Sequence, residues 1–196
     1  MTPRVAAGTM GRIVRLGGAI GLALTLAACG MGTGSTPQQP STGTTSLTVQ
    51  QQLILDQTNQ ARAQARVCKD VATGESQAFQ AAPPLRWNAQ LAAAAQAHSQ
   101  DMADQKTAAG FSHTGSDGST FDVRIERAGY TGWTAVGENI IAGYTAEQMV
   151  DAWVASYHHC LNIMNPAFRE LGVGYVNDPA ASSYFHTYAT QDFGSR

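Results

Sequence analysis

Apolar side chains recur at helical spacing in four stretches of this chain, and gather with β-branched and aromatic residues in three others. From Thr48 to Val67 there is no Gly or Pro and the apolar residues fall near one face, which predicts a helix ending close to Cys68. Pro83-Pro84 interrupts regular structure. Asn88 is then placed to cap a second, Ala-rich helix over 88–106, in which Leu91, Ala95, His98 and Met102 keep helical spacing. A turn at Gly115 to Gly118, a capping Ser119 or Thr120 and a stop at Gly129 bracket a short helix, FDVRIERA. Thr145 and Gln148 fit a capping box that opens a helix carrying Met149, Trp153 and Ser156 on one side. Strands are predicted over Trp133 to Ala142, Leu171 to Val176 and Tyr184 to Thr190, with Asn177-Asp178-Pro179 as the turn between the last two. Helices first and a hairpin last predict an α+β domain with an antiparallel sheet, not a doubly wound parallel one. No internal repeat interrupts this order.

The first 28 residues do not belong to that pattern. They hold Arg4, Arg12 and Arg15, no acid, and an apolar run from Leu16 to Ala28. Such a run is well short of the roughly 20 residues that span a bilayer, and a basic start before a short apolar stretch is the pattern of an export signal. The run ends Leu26-Ala-Ala-Cys29, which resembles the bacterial lipobox, where the signal is cut and Cys29 receives lipid. Residues 30–46 carry no charge and almost no apolar side chain, too little to offset ordering entropy. They are expected to be a disordered tether reaching about 20 to 25 Å. The predicted organisation is therefore a signal peptide over 1–28, a lipidated Cys29 and tether over 29–46, and a domain over 47–196.

Composition sharpens this picture. The whole chain has 12 Lys and Arg against 14 Asp and Glu; without the leader it has 9 against 14, a formal charge of −5. No positive excess is available to neutralise a phosphate backbone, so nucleic acid is not an expected partner. With Cys29 assigned to lipid, Cys68 and Cys160 remain as an even pair in an exported protein, where disulfides persist. A Cys68–Cys160 bridge is predicted, against the alternatives of two free thiols or a metal pair, for which no CxxC spacing is present.

All five histidines lie in polar features of the domain. His98 sits on the apolar face of its helix, which reads as a hydrogen-bonded, semi-buried side chain. His113 lies in a loop and Glu138 beside a glycine at a strand edge, positions from which imidazole and carboxylate can hold a divalent ion or orient one another for proton transfer. Ser156 and His159 are three apart and share a helix face if the helix continues. A serine and histidine at that spacing are more often helix surface than nucleophile and base. His186 and Tyr188 close the set.

Taken in order, Asn59-Gln-Ala-Arg62, Pro84-Leu-Arg-Trp87-Asn88, His98-Ser-Gln-Asp-Met102, Phe111-Ser-His113-Thr-Gly-Ser-Asp-Gly118, Gly137-Glu138-Asn139-Ile140, Trp153-Val-Ala-Ser156, His159-Cys160-Leu-Asn162-Ile-Met-Asn165-Pro166 and Gln191-Asp-Phe193-Gly194 resemble the CAP superfamily, or SCP domain, of cysteine-rich secretory, antigen 5 and pathogenesis-related proteins. The resemblance covers nearly all of residues 50–194. It implies a three-layer α-β-α sandwich, a central antiparallel sheet between helical layers, with one broad cleft. The family's first cleft histidine carries over to His113 and its first acid to Glu138; its second acid falls at Ser156 and its last histidine near Tyr188. Where bacterial members read Ser-Pro-Gly-His, Tyr157 and His158 stand here in place of Pro and Gly, which removes a helix stop and lets the helix run on to Cys160. His186, two residues before Tyr188, is expected to point to the same strand face and to substitute for the missing histidine. The family's pairing of the Cys160 position with a cysteine after the first helix agrees with Cys68.

The expected function is a non-enzymatic, lipid-anchored binding module whose cleft, formed by His113, Glu138, Ser156, His159, His186 and Tyr188, takes a sterol, fatty acid or other envelope component. Trp133, Trp153 and the tyrosines are available to line an apolar groove. Zinc is the candidate cofactor, on His113, Glu138, His159 and His186. The alternative is a peptidase-like hydrolase in which Glu138 acts as base on a water, with His113 and His159 orienting it or holding a metal, and Ser156 as a further catalytic candidate. No nucleophile elbow or HExxH motif supports that alternative. The expected location is the outer membrane if the cell is Gram-negative, a sorting with which Gly30 is compatible, and otherwise the outer face of the plasma membrane.

Overall fold

The computed structural model describes residues 4–6, 47–178 and 184–196. The rest of the expected leader, the expected lipidation site Cys29 and the expected tether over 30–46 lie outside the described residues. Among those described, no helix is long and apolar enough to cross a membrane.

In chain order the elements are β1 (Arg4–Ala6), α1 (Val49–Arg62), β2 (Arg66–Lys69), β3 (Ser76–Phe79), β4 (Arg86–Trp87), α2 (Ala89–Asp104), a single 3₁₀ turn (Ala108–Gly110), α3 (Phe121–Arg127), β5 (Ala135–Ala142), α4 (Ala146–Val154), α5 (Tyr157–Met164), β6 (Glu170–Asn177) and β7 (Thr187–Ser195). The main sheet runs β1-β5-β7-β6-β4, with β2 and β3 forming a separate hairpin. Strands β5, β7 and β6 pair antiparallel, as the hairpin pattern predicts. The two residues of β4 add a parallel edge against β6. β1 pairs only with β5, as the outer strand on the other side.

Alternation along the strands sorts two cores, one on each face. On β5, Val136 packs with Leu91, Ala94 and Ile125 of α2 and α3, and Ile140 with Met102 of α2. Ile141 turns the other way, into a larger cluster with Ile54, Trp153, Ile163, Phe168 and Phe193 beneath α1, α4 and α5. This is the α-β-α sandwich. The α2 layer sits unusually close to the sheet. A methyl group on Gly172 would lie 2.0 Å from the backbone nitrogen of Ala92, and one on Gly174 would lie 2.2 Å from the Ala95 carbonyl. The Ala-rich face of α2 thus rests directly on glycine backbone in β6, a contact no larger residue on the strand would allow.

Local signals fix several helix starts. Asn88 accepts from the backbone N–H of Gln90 and Leu91 at the head of α2. Thr48 and Gln51 form a reciprocal capping box on α1, and the Gln148 side chain accepts from the Thr145 N–H at the start of α4.

Three expectations need correction. The first helix stops at Arg62, not near Cys68, and residues 66–69 form β2. At that point Arg62 is completely buried and donates to the carbonyls of Pro83, Ile163, Asn165 and Phe168, anchoring the helix end to the segment before β6. The final strand begins at Thr187, later than Tyr184. Helix α4 does not run on to Cys160: it ends at Val154, Ser156 adopts extended geometry (φ −99°, ψ 126°), and α5 starts afresh. Without Pro or Gly, the break is held by the seating of α5, where Cys160 is bonded to Cys68 of β2 with Cα atoms 5.6 Å apart. The disulfide expected from cysteine count and compartment is present, and it joins β2 to α5.

Candidate functional site

Glu138 lies in the middle of β5 on the face toward α2, fully buried. Such a carboxylate needs partners for both oxygens, and it has them. His113, on the loop after the 3₁₀ turn, donates from Nδ1 to Oε1 at 2.7 Å. Arg124 of α3 donates from Nη2 to Oε2 at 2.7 Å, and also holds the loop by donating to the His113 carbonyl. Burial alone would raise the Glu138 pKa; the hydrogen bond from His113 and the Arg124 guanidinium act against it, and the carboxyl is held below its ordinary value.

Asp192 stands directly opposite Glu138 in the β5–β7 register and is equally buried. Burial, then repulsion from Glu138, push its pKa well up, only partly offset by Arg124, and Asp192 Oδ1 has no hydrogen-bond partner. Two facing carboxyls in one buried site resist ionising together, and the two shifts run in opposite directions, Asp192 upward and Glu138 downward. Nearby, His98 donates from Nε2 to the Ser112 carbonyl at 3.0 Å, with the same nitrogen 4.0 Å from Glu138 Oε1.

Ser156 and His159 meet at the start of α5, with Ser156 Oγ 2.8 Å from His159 Nδ1. The imidazole is completely buried, and its pKa falls to about 3, through burial first and then the charges of His113 and His158. It is therefore neutral. A base this weak, with no carboxylate on its second nitrogen, does not activate a serine in the manner of a nucleophile–base–orienter set.

One feature unites the two clusters. His113 Nε2 and His159 Nε2 are both buried and both without a partner. His113 engages Glu138 through Nδ1, so its Nε2 is free to meet a ligand, and its side chain is 18% exposed.

Not every expected residue joins them. His186 was expected to share a strand face with Tyr188, but β7 begins at Thr187 and His186 has φ 66°, so strand alternation does not reach it. Its Nδ1 lies 3.4 Å from the Asp178 carbonyl, across the β6–β7 connection. Tyr188 is core: it packs with Met102, Ile140 and Phe185, and its hydroxyl accepts from the Phe185 N–H. Each Glu138 oxygen already accepts one hydrogen bond. Among the described residues no group of three His, Cys, Asp or Glu side chains is arranged to hold a metal, and the expected donors His113, Glu138, His159 and His186 are not brought together as one.

Sequence reasoning passed over Arg124 and Asp192. Arg124 reads as an ordinary charge on a short amphipathic helix. The available signal for Asp192 is a charged residue between Gln191 and Phe193, two positions after Thr190 and so on the same face of a strand.

Comparison with known proteins bears on the same residues. The cysteine-rich secretory protein family, CAP, matches residues 55–193. The protein YkwD of Bacillus subtilis (strain 168), described as uncharacterized, is 43% identical over 95 residues, which cover 47% of this chain and 35% of that protein. The crystal structure of an extracellular protein containing a SCP domain from Bacillus anthracis str. Ames is similar at a TM-score of 0.57 and 29% identity, over 83% of this chain and 45% of that one. An outer surface protein of Borrelia burgdorferi shares the fold at a TM-score of 0.50 and 20% identity, over 57% of this chain and 77% of that one. The chain thus spans about a third of the length of its curated relative and under half of the Bacillus anthracis protein.

Proposed function

The chain belongs to the cysteine-rich secretory protein (CAP) family, and we propose that it is an exported binding module, tethered by lipid at Cys29, whose cleft holds an apolar or envelope ligand by a polar head group at His113 and His159. The carrying observation is the distribution of unmet hydrogen-bonding capacity. Both oxygens of Glu138 are engaged, whereas the Nε2 atoms of His113 and His159 are buried without a hydrogen-bond partner among the described residues. A general base must be free to take a proton, and both oxygens of Glu138 already accept hydrogen bonds from His113 and Arg124. An unsatisfied buried polar atom, by contrast, is a standing free-energy gain for a ligand that hydrogen-bonds to it, worth about 1 to 3 kcal/mol. The basic leader and lipobox support export and anchoring, in keeping with the relative from Bacillus anthracis that is described as extracellular.

The hydrolase alternative draws support from the 2.8 Å contact between Ser156 and His159. Three variants separate the readings. Saturable binding of a fluorescent sterol or fatty acid that is weakened in His113→Ala and in His159→Ala, but kept in Ser156→Ala, supports the binding module. Turnover of an ester or peptide that disappears in Ser156→Ala, with the fold intact, would replace it with the hydrolase. Native mass spectrometry of the exported protein adds an independent readout, since a copurifying lipid is expected.

A further inference from the structure

A groove of about 540 Å³ opens between α2, the 115–119 loop and α3, with Arg124 in its wall. It falls within the roughly 300 to 1,000 Å³ typical of small-molecule sites. None of His113, Glu138, Ser156 or His159 lines it. Its α2 wall is Ala93, Ala94 and Ala97, of which Ala93 and Ala97 are exposed. Alanines at these positions leave room and offer only apolar contact.

Two residues lining this groove carry buried polar atoms with no partner. Arg124 donates from Nη1 to the Ser119 carbonyl, and from Nη2 to Glu138 and the His113 carbonyl, while its Nε–H is buried and unmatched. His98 is 1% exposed. Its Nε2–H is committed to the Ser112 carbonyl, so Nδ1 is an acceptor, and that atom is also unmatched. His98 lines the groove together with Asp101, whose carboxylate oxygen lies 4.0 Å from this Nδ1. Burial keeps this imidazole below its ordinary pKa and hence neutral.

A buried donor and a buried acceptor beside an apolar wall describe a particular ligand. We propose that the groove between α2 and α3 binds a neutral amphiphile by its hydroxyl group, which accepts from Arg124 Nε–H and donates to His98 Nδ1 while the hydrocarbon body lies along Ala93, Ala94 and Ala97. A hydroxyl is the smallest group that does both at once. A carboxylate is disfavoured. It accepts from Arg124 but has no proton for His98, it meets the negative charge of Asp101, and the guanidinium charge is already matched by Glu138. This site goes beyond the cleft proposed above and does not depend on it.

The test uses two probes that differ only in the head group, 1-octanol and octanoate, titrated into the ¹⁵N-labelled protein at neutral pH. Octanol is expected to bind saturably, to shift the Arg124 Nε–H resonance, and to bind at least about tenfold more tightly than octanoate, the ratio that corresponds to one hydrogen bond of about 1.4 kcal/mol. Ala97→Trp, on an exposed helix position, is expected to abolish octanol binding with the circular dichroism unchanged; Ala93→Trp serves the same purpose from the neighbouring position. His98→Phe, which removes the acceptor but keeps a ring in place, is expected to bring octanol down to the affinity of octanoate. Equal binding of the two probes, absence of saturable octanol binding, or unchanged octanol binding in both folded tryptophan variants overturns the proposal.

Discussion

His159 should make the protein acid-sensitive by an amount that can be isolated. Its imidazole is completely buried, with a folded-state pKa of about 3, while in the unfolded chain it returns to about 6.5. The folded protein therefore binds fewer protons than the unfolded chain. The stability this represents is fully present above the unfolded value and is lost as pH falls from about 6.5 toward 3. At pH 5 the unfolded imidazole is about thirtyfold more protonated than not and the folded one is almost wholly neutral, so the loss relative to pH 7 is about 2 kcal/mol. His98, also lowered by burial, adds to the slope in the same direction; Asp192, raised by burial, works against it. Comparison with His159→Phe removes these shared contributions. The substitution deletes the Ser156 contact, which shifts stability by a constant, but it leaves nothing to titrate at that position. Urea unfolding of both proteins at pH 7, 6 and 5 is the assay, with the disulfide intact. The gap between them should change by about 2 kcal/mol across that range, in favour of the variant at acid pH. If the two stabilities fall in parallel, His159 is not held neutral by burial and the reasoning fails.

Further expectations concern the frame that carries the site. Gly172→Ala and Gly174→Ala place a methyl against the backbone of α2, which cannot yield as a side chain can; each should destabilise by about 3 kcal/mol or more, or prevent folding, as read by thermal melts. Replacing both Cys68 and Cys160 by Ser releases a loop of sequence separation 92 and should lower stability by about 4 to 5 kcal/mol in the chain-entropy account, measurable by urea unfolding. Arg62→Met removes the guanidinium that serves four carbonyls; a loss of about 3 to 5 kcal/mol is expected, and a change below about 1 kcal/mol would show that those carbonyls find other donors.

How much of this could be read in advance depends on the distance over which each feature is decided. Helix starts were legible because a cap is settled within three residues: Asn88 reaches Gln90 and Leu91, and Thr48 reaches Gln51. The central strands were legible because β-branched and aromatic runs bounded by turns mark them. The disulfide followed from an even cysteine pair in an exported chain. The break at Ser156 was not legible, since nothing in Tyr157 or His158 stops a helix; the packing of α5 and its bond to β2 decide it. Nor was the β2–β3 hairpin, whose first strand continues the helical pattern of α1 without a Gly or Pro to end it.

The candidate site shows the same division. Its residue types and order along the chain pointed to His113, Glu138 and His159, and to the CAP fold that would hold them. Which atoms remain free is a different matter. Glu138 is matched by His113 across 25 residues of sequence and by Arg124 across 14, and it faces Asp192 only because β5 and β7 pair in one register. A shift of that register by a single residue would turn one carboxyl to the opposite face. The sequence by itself determined the helix caps, the cysteine pair and the family. Only the tertiary structure decided that Glu138 is engaged on both oxygens, that His186 falls before the last strand while Tyr188 packs into the core, and that His98 and Arg124 line one groove. Those outcomes depend on burial and on partners brought together from distant segments, which no local pattern encodes.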